Sequence, residues 1–171
     1  MNTDPATDNT PGAEAESEVD LSGSTILIVD DNEQNVELMQ AYLDALPCNV
    51  ITAVDGVAAL AAVDEHKPDL ILLDVMMPRM SGFEVCAKLK SDPATQAIPI
   101  IMVTALNELG DIERGIESGT DDFLSKPVKK LVLLTRVKSM LRVRHLKREL
   151  DRTRAYIQDV QSDDDGPLPE A

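Results

Sequence analysis

The feature that most constrains this chain is a five-fold alternation of short apolar runs with segments of helical spacing. Thr25-Ile26-Leu27-Ile28-Val29 is β-branched-rich and apolar after its first residue, as a strand buried on both faces must be. Residues 32–46 then place Val36, Met39, Leu43 and Leu46 on one helical face before Pro47. The same unit repeats: a strand over 48–53 with a helix over 55–66, and a strand over 70–73, running into Asp74, with a helix over 82–90. A strand over 99–103 with a helix over 109–118, closed by Gly119, makes the fourth unit. The fifth is a short strand over 122–125 with a long helix from Val128 to about Val160. Strands that alternate with helices and are apolar throughout imply a parallel sheet covered on both faces. The expected fold class is therefore α/β: a flavodoxin-like, doubly wound, five-stranded parallel sheet with five helices, the last extended. Periodicity alone leaves the strand order open.

Charge divides the chain into unlike parts. The net charge of −15 is spread unevenly over 171 residues. Residues 1–21 carry six acids and no base, and residues 159–171 carry five acids and no base. Both ends are too poor in apolar side chains to offset the entropy of ordering. We expect disordered acidic tails over 1–21 and 161–171, a folded domain over 22–143, and a helical extension over 144–160. Between the tails, residues 22–124 hold 18 acids against 5 bases, whereas 125–158 hold 11 bases against 2 acids. An acidic domain argues against nucleic acid as a partner. There is no apolar run of about 18 residues to span a membrane, and no apolar core of a signal peptide. With only Cys48 and Cys86 there is no disulfide framework, so a reducing cytoplasm is the expected compartment.

A doubly wound sheet places its chemistry at the carboxyl ends of its strands. The first strand ends in Asp30-Asp31, the third in Asp74, the fourth in Thr104-Ala105, and the fifth is followed by Lys126-Pro127. Taken singly, each has an ordinary explanation. Asp30 or Asp31 would cap the first helix, Thr104 would be a strand residue, and Lys126 a solvated cation. Taken together, three carboxylates, a hydroxyl and an ammonium converge if strands one, three, four and five are neighbours. Clustered carboxylates repel unless a cation sits among them, and Mg²⁺ typically takes one or two carboxylates with water and phosphate oxygens. Lysine adds a compact charge for an anion. Such a set suits phosphoryl transfer to an aspartate nucleophile.

The stretches Ile26-Leu27-Ile28-Val29-Asp30-Asp31, Leu72-Leu73-Asp74-Val75-Met76-Met77-Pro78, Met80-Ser81-Gly82, Val103-Thr104-Ala105 and Asp121-Asp122-Phe123-Leu124-Ser125-Lys126-Pro127-Val128 resemble the receiver domain of two-component response regulators. The resemblance covers about residues 24–145. It implies strand order 2-1-3-4-5, Mg²⁺ as cofactor, and phosphorylation of Asp74 by the phosphohistidine of a histidine kinase or phosphotransfer protein. It implies that Asp31, Asp74 and the Met76 carbonyl hold Mg²⁺, with Asp30 acting mainly through water. Lys126 would pair with Asp74 at rest and with phosphate afterwards. Thr104 would donate to the phosphate, and Phe123 would swing inward as the switch aromatic, remodelling the face of helix four, strand five and helix five. A cis Lys126–Pro127 bond is implied as well. Met76 and Leu106 stand where many members carry polar residues, so slow self-dephosphorylation is expected.

The long last helix departs from that pattern. Val143, Leu146, Leu150, Thr153, Ile157 and Val160 follow heptad spacing, and Glu149 and Arg154 can pair across a parallel two-stranded coil. One expectation is a homodimer through helix four, strand five, helix five and this extension; the other is a helix docked on its own domain or on an unknown downstream protein. The resulting expectation is a non-enzymatic signalling switch. The rivals are a receiver fragment or adaptor that acts in a phosphorelay or regulates a separate cyclic-dinucleotide output protein, an aspartyl phosphatase, and an FMN carrier. The phosphatase lacks its usual second acid, because Met76 stands two residues after Asp74. The FMN carrier lacks a Ser/Thr/Gly-rich phosphate loop after the first strand.

Overall fold

In a computed structural model of the chain, residues 19–105 and 109–163 are described. The apolar runs form strands β1 (Thr25–Val29), β2 (Asn49–Ala53), β3 (Leu70–Asp74), β4 (Ile100–Thr104) and β5 (Asp122–Ser125). Between and after them lie helices α1 (Glu33–Leu43), α2 (Gly56–His66), α3 (Gly82–Ser91), α4 (Leu109–Ser118) and α5 (Lys130–Asp163). All strands are parallel, in the order β2-β1-β3-β4-β5.

Side chains alternate across each strand, so the sheet feeds two cores. Leu27, Val29, Ile71, Leu73 and Met102 face α2 and α3, where Val63, Val85, Cys86 and Leu89 meet them. Ile26, Ile28, Leu72, Ile101 and Val103 face α1 and α5, where Met39, Leu43, Leu133, Val137 and Leu141 close the other side. β3 and β4 are buried along their whole length, which explains why their sequences do not alternate.

Several boundaries differ from the sequence expectation, each for a local reason. α1 ends at Leu43, not Leu46: the chain tightens into a turn, with Leu46 N–H donating to the Leu43 carbonyl, because Pro47 disfavours helix at its predecessor. β4 starts at Ile100, since Pro99 has no N–H for the ladder; its carbonyl still accepts from Ile71 N–H at 3.0 Å. The acidic N-terminal segment was expected to stay off the domain through residue 21. Instead Leu21 packs on the α1–α5 core and its carbonyl accepts from the Cys48 thiol. α5 runs to Asp163, past the expected end near residue 160. The rest of both expected tails, 1–18 and 164–171, lies outside the described residues, as does Leu106. Among the described residues, no helix is long and apolar enough to cross a membrane.

Candidate functional site

The register of the central strands builds the site. Val29 lies opposite Leu73, so Asp30, next after Val29, emerges beside Asp74, the last residue of β3. Asp74 lies opposite Val103, which puts Thr104 one residue further along the neighbouring strand. Thr104 pairs with Ser125, and Lys126 follows; its N–H donates to the Thr104 carbonyl at 2.9 Å. The Lys126–Pro127 bond is cis, as the resemblance implied.

Local capping frees the acids for other work. α1 is capped by Asn32, whose side chain accepts from Gln34 and Asn35 N–H, so neither Asp30 nor Asp31 caps it. Asp30 Oδ1 instead accepts from Asn32 N–H at 2.9 Å, which fixes its carboxylate at the sheet edge. α3 starts with a reciprocal capping box between Ser81 and Glu84. Gly82, the first residue of α3, packs directly on the end of β3. A Cβ there would lie 2.2 Å from the Asp74 carbonyl oxygen, so only glycine permits this approach.

Asp30, Asp31 and Asp74 each offer a carboxylate oxygen, all within 4.8 Å of one another. Asp30 is 1% exposed and Asp74 4%, while Asp31 opens to solvent. Against these three acids stands Lys126. Its Nζ donates to Asp74 Oδ1 at 3.1 Å and to Asp30 Oδ2 at 3.2 Å. Burial pushes the Asp74 carboxyl above its ordinary value. The Lys126 hydrogen bond opposes that shift, the Asp30 charge reinforces it, and the Met76 N–H opposes it further. Burial alone would lower the Lys126 ammonium, but its hydrogen bonds and the charges of Asp74 and Asp30 outweigh it and hold the group above its usual value. The site is thus rich in hard oxygen donors and short of positive charge, which fits a small divalent cation such as Mg²⁺.

The other expected residues sit in two places. Thr104 is buried beside the cluster at the end of β4. The Met76 side chain is exposed, and its part in the cluster is the backbone hydrogen bond to Asp74. Phe123 lies one strand over, on β5, half-buried against the core with its ring tip above α4. Phe123 and Thr104 share the wall of an apolar cavity of about 190 Å³, which Val75, Phe83, Ile112 and Leu124 also line.

The sequence reading missed Gly115. A Cβ there would come within 2.3 Å of Phe123 Cζ, so the ring occupies the space that a side chain on α4 would fill. The available signal was a glycine isolated inside a helical pattern, which usually marks close packing. Asp69 was missed as well, at the opposite edge of the sheet. It accepts from Thr25 N–H at 2.8 Å and from the Arg148 guanidinium, and Arg144 lies beside it. No local signal marks it, because its partners are 44 and 79 residues away.

The family model of the response regulator receiver domain matches residues 26–138. The response regulator PleD of Caulobacter vibrioides is 53% identical over 117 residues, covering 68% of this chain and 26% of that protein. The alkaline phosphatase synthesis transcriptional regulatory protein PhoP of Bacillus subtilis is 44% identical over 117 residues, covering 68% of this chain and 48% of that protein. The matched stretch thus spans half or less of these two relatives. Among solved structures, the receiver domain of a signal transduction histidine kinase from Syntrophus aciditrophicus matches with TM-score 0.66 and 36% identity, over 70% of this chain and 90% of that one. The Vibrio cholerae chemotaxis protein CheY4 matches with TM-score 0.65 and 29% identity, over 68% of this chain and 98% of that one.

Proposed function

The chain belongs to the response regulator receiver domain family, and from that premise we propose that it is a switch operated by phosphorylation of Asp74. The observation that carries this reading is the sharing of one ammonium, Lys126, by two buried carboxylates at the sheet edge, with a third acid exposed beside them. Asp30, Asp31, Asp74 and the Met76 carbonyl would hold Mg²⁺. When bound, that ion offsets the carboxylate charge and orients phosphate oxygens.

In the transfer, an Asp74 carboxylate oxygen attacks the phosphorus of a phosphohistidine. The phosphorus–nitrogen bond breaks, and the imidazole departs with the bonding electrons. Lys126 leaves Asp74 for a phosphate oxygen, and the Thr104 hydroxyl donates to another. The phosphoryl group adds roughly two negative charges. This shifts the population toward the form in which those donors have moved. The cavity shared by Thr104 and Phe123 gives both side chains room to repack, which passes the change to the face of α4, β5 and α5. Phosphodonors are a histidine kinase or a phosphotransfer protein; the receiver of the signal is another protein, and a homodimer using α4, β5 and α5 belongs to the same reading. The chain divides into acidic tails, a receiver that takes in Leu21 and runs to about residue 143, and a helical extension that continues to Asp163. Two free thiols suit a reducing cytoplasm. Met76, where an aspartyl phosphatase needs its second acid, weighs against turnover of other substrates.

The test is intact mass after incubation with acetyl phosphate and Mg²⁺. One added phosphoryl group is expected, absent in Asp74→Asn. No addition to the wild type, or addition to the variant, overturns the assignment.

A further inference from the structure

The C-terminal half of α5 carries a heptad seam that, among the described residues, nothing covers. We propose that this seam pairs, parallel and in register, with the same seam of a second copy of the chain. The inference rests on the helix alone and stands apart from the phosphorylation reading.

α5 uses one face to hold the domain. Leu133, Val137 and Leu141 are buried against the sheet. One and two turns further on, Arg144 and Arg148 continue that face, with Arg144 donating to the Ala97 carbonyl at 2.7 Å and Arg148 to Asp69. At about 100° per residue, Val143, Leu146, Leu150, Thr153, Ile157 and Val160 fall on roughly the opposite face. From Leu146 to Ser162 every residue is exposed. The five apolar members of the seam are each 47–52% exposed, so each keeps about half its surface in water. A helix docked back on its own domain would bury them. Nearer the domain the same face carries Ser139 and Arg136, and Arg136 is engaged with Asp122, so the seam begins at Val143.

The pattern selects the occupant and its direction. A two-position stripe repeating every seven residues matches the surface of another such helix; a membrane-surface helix presents a wider apolar face. In a parallel pair, Glu149 faces the partner's Arg154, and the contact occurs twice by symmetry. An antiparallel pair that keeps the apolar layers, Leu146 against the partner's Ile157, brings Lys147 against the partner's Arg154, also twice. The like pair of the parallel form, Arg142 with the partner's Lys147, lies at the open end of the seam, where solvent screens it. Parallel pairing also leaves both domains on the outside of the coil. α5 leaves the domain at the edge holding Asp69, opposite the acidic cluster, so both Asp74 sites stay accessible. A seam of under three heptads with Thr153 inside it makes a weak dimer.

Sedimentation of the full chain and cysteine cross-linking test this. The wild type should dimerise reversibly as concentration rises, and Leu150→Asp, a change at an exposed position, should remain monomeric. Thr153→Leu should tighten the dimer by about tenfold or more. Ile157→Cys alone should form a disulfide-linked dimer under mild oxidation, above the wild-type background from Cys48 and Cys86. A wild type monomeric at its highest soluble concentration, or a dimer that survives Leu150→Asp, overturns the proposal. A cross-link formed only between Leu146→Cys and Ile157→Cys chains overturns the parallel direction. Phosphoryl uptake by Leu150→Asp should equal that of the wild type, so the seam and the Asp74 site fail or stand separately.

Discussion

The two edges of the sheet treat buried carboxylates in opposite ways. At the carboxyl edge, Asp30 and Asp74 divide one ammonium between them, with Asp31 adding a third acid. At the amino edge, Asp69 is a single acid surrounded by donors: a backbone N–H, the Arg148 guanidinium, and Arg144 at 3.6 Å. The first edge has too little positive charge to balance its carboxylates without a bound cation. At the second, the chain itself supplies the carboxylate with its donors, although the buried Arg144 Nε, at 3.6 Å, makes no hydrogen bond. An electrostatic deficit thus marks the edge proposed to accept the phosphoryl group, and a carboxylate supplied with donors marks the edge that holds α5.

The sharpest way to break this contrast is to remove the shared cation. Lys126→Met should slow phosphoryl uptake on the order of 100-fold or more, because the phosphate loses a preorganised positive partner. Uptake within a few-fold of the wild type, measured by intact mass against time, would show that Lys126 is only a counter-ion. Asp69→Ala should act on stability instead. It leaves the Thr25 N–H without its acceptor and removes the carboxylate that Arg148 and Arg144 face, costing about 2 kcal/mol in denaturant unfolding, while the rate of phosphoryl uptake stays unchanged. Loss of uptake at full stability would erase the division between the edges.

Asp30→Asn should have the opposite sign. Relieving like-charge repulsion should stabilise the Mg²⁺-free protein by about 1 kcal/mol and weaken the gain that Mg²⁺ gives. The wild type should show the same strain through pH. The folded-state pKa of Asp74 is raised, so the folded protein holds that proton more tightly than the unfolded chain does. Its contribution favours the fold below the ordinary aspartate value and is lost as pH rises through the raised value. A Mg²⁺-free melting temperature that is flat across this range, with the same slope in Asp74→Asn, would contradict it. The smallest effect is expected at Gly115→Ala. The clash with Phe123 offsets the gain in helix propensity, leaving stability within about 1 kcal/mol. The ring's position should nonetheless change, visible as shifted aromatic resonances of Phe123 and Phe83. Unchanged spectra would mean the ring does not rely on that gap.

How legible each part was followed the range of the interactions that made it. Strands β1, β3 and β4 could be read because burial on both faces forces unbroken apolar runs, as in Leu70-Ile71-Leu72-Leu73. The end of α1 was misplaced because Leu46 keeps helical spacing while the turn before Pro47 has already closed. The cluster residues Asp30, Asp31, Asp74, Thr104 and Lys126 could be named because each ends a strand or follows one within two residues. What could not be read was contact between remote segments: the capping role of Asn32 in place of the aspartates, the ring of Phe123 over Gly115, and the Asp69 clamp on α5.

The alternation of apolar runs by itself determined a parallel, doubly covered sheet, because a side-chain period and a burial requirement leave few other solutions. Strand-end position by itself nominated the acids, the hydroxyl and the lysine. Only the tertiary structure decided that one lysine serves both Asp30 and Asp74, since that depends on strand register and on ångström-scale reach. It also decided that the apolar seam of α5 points away from the domain. A helix carries its apolar stripe in its sequence, but which stripe meets the sheet depends on where Asp69 and the Ala97 carbonyl hold the helix as it leaves.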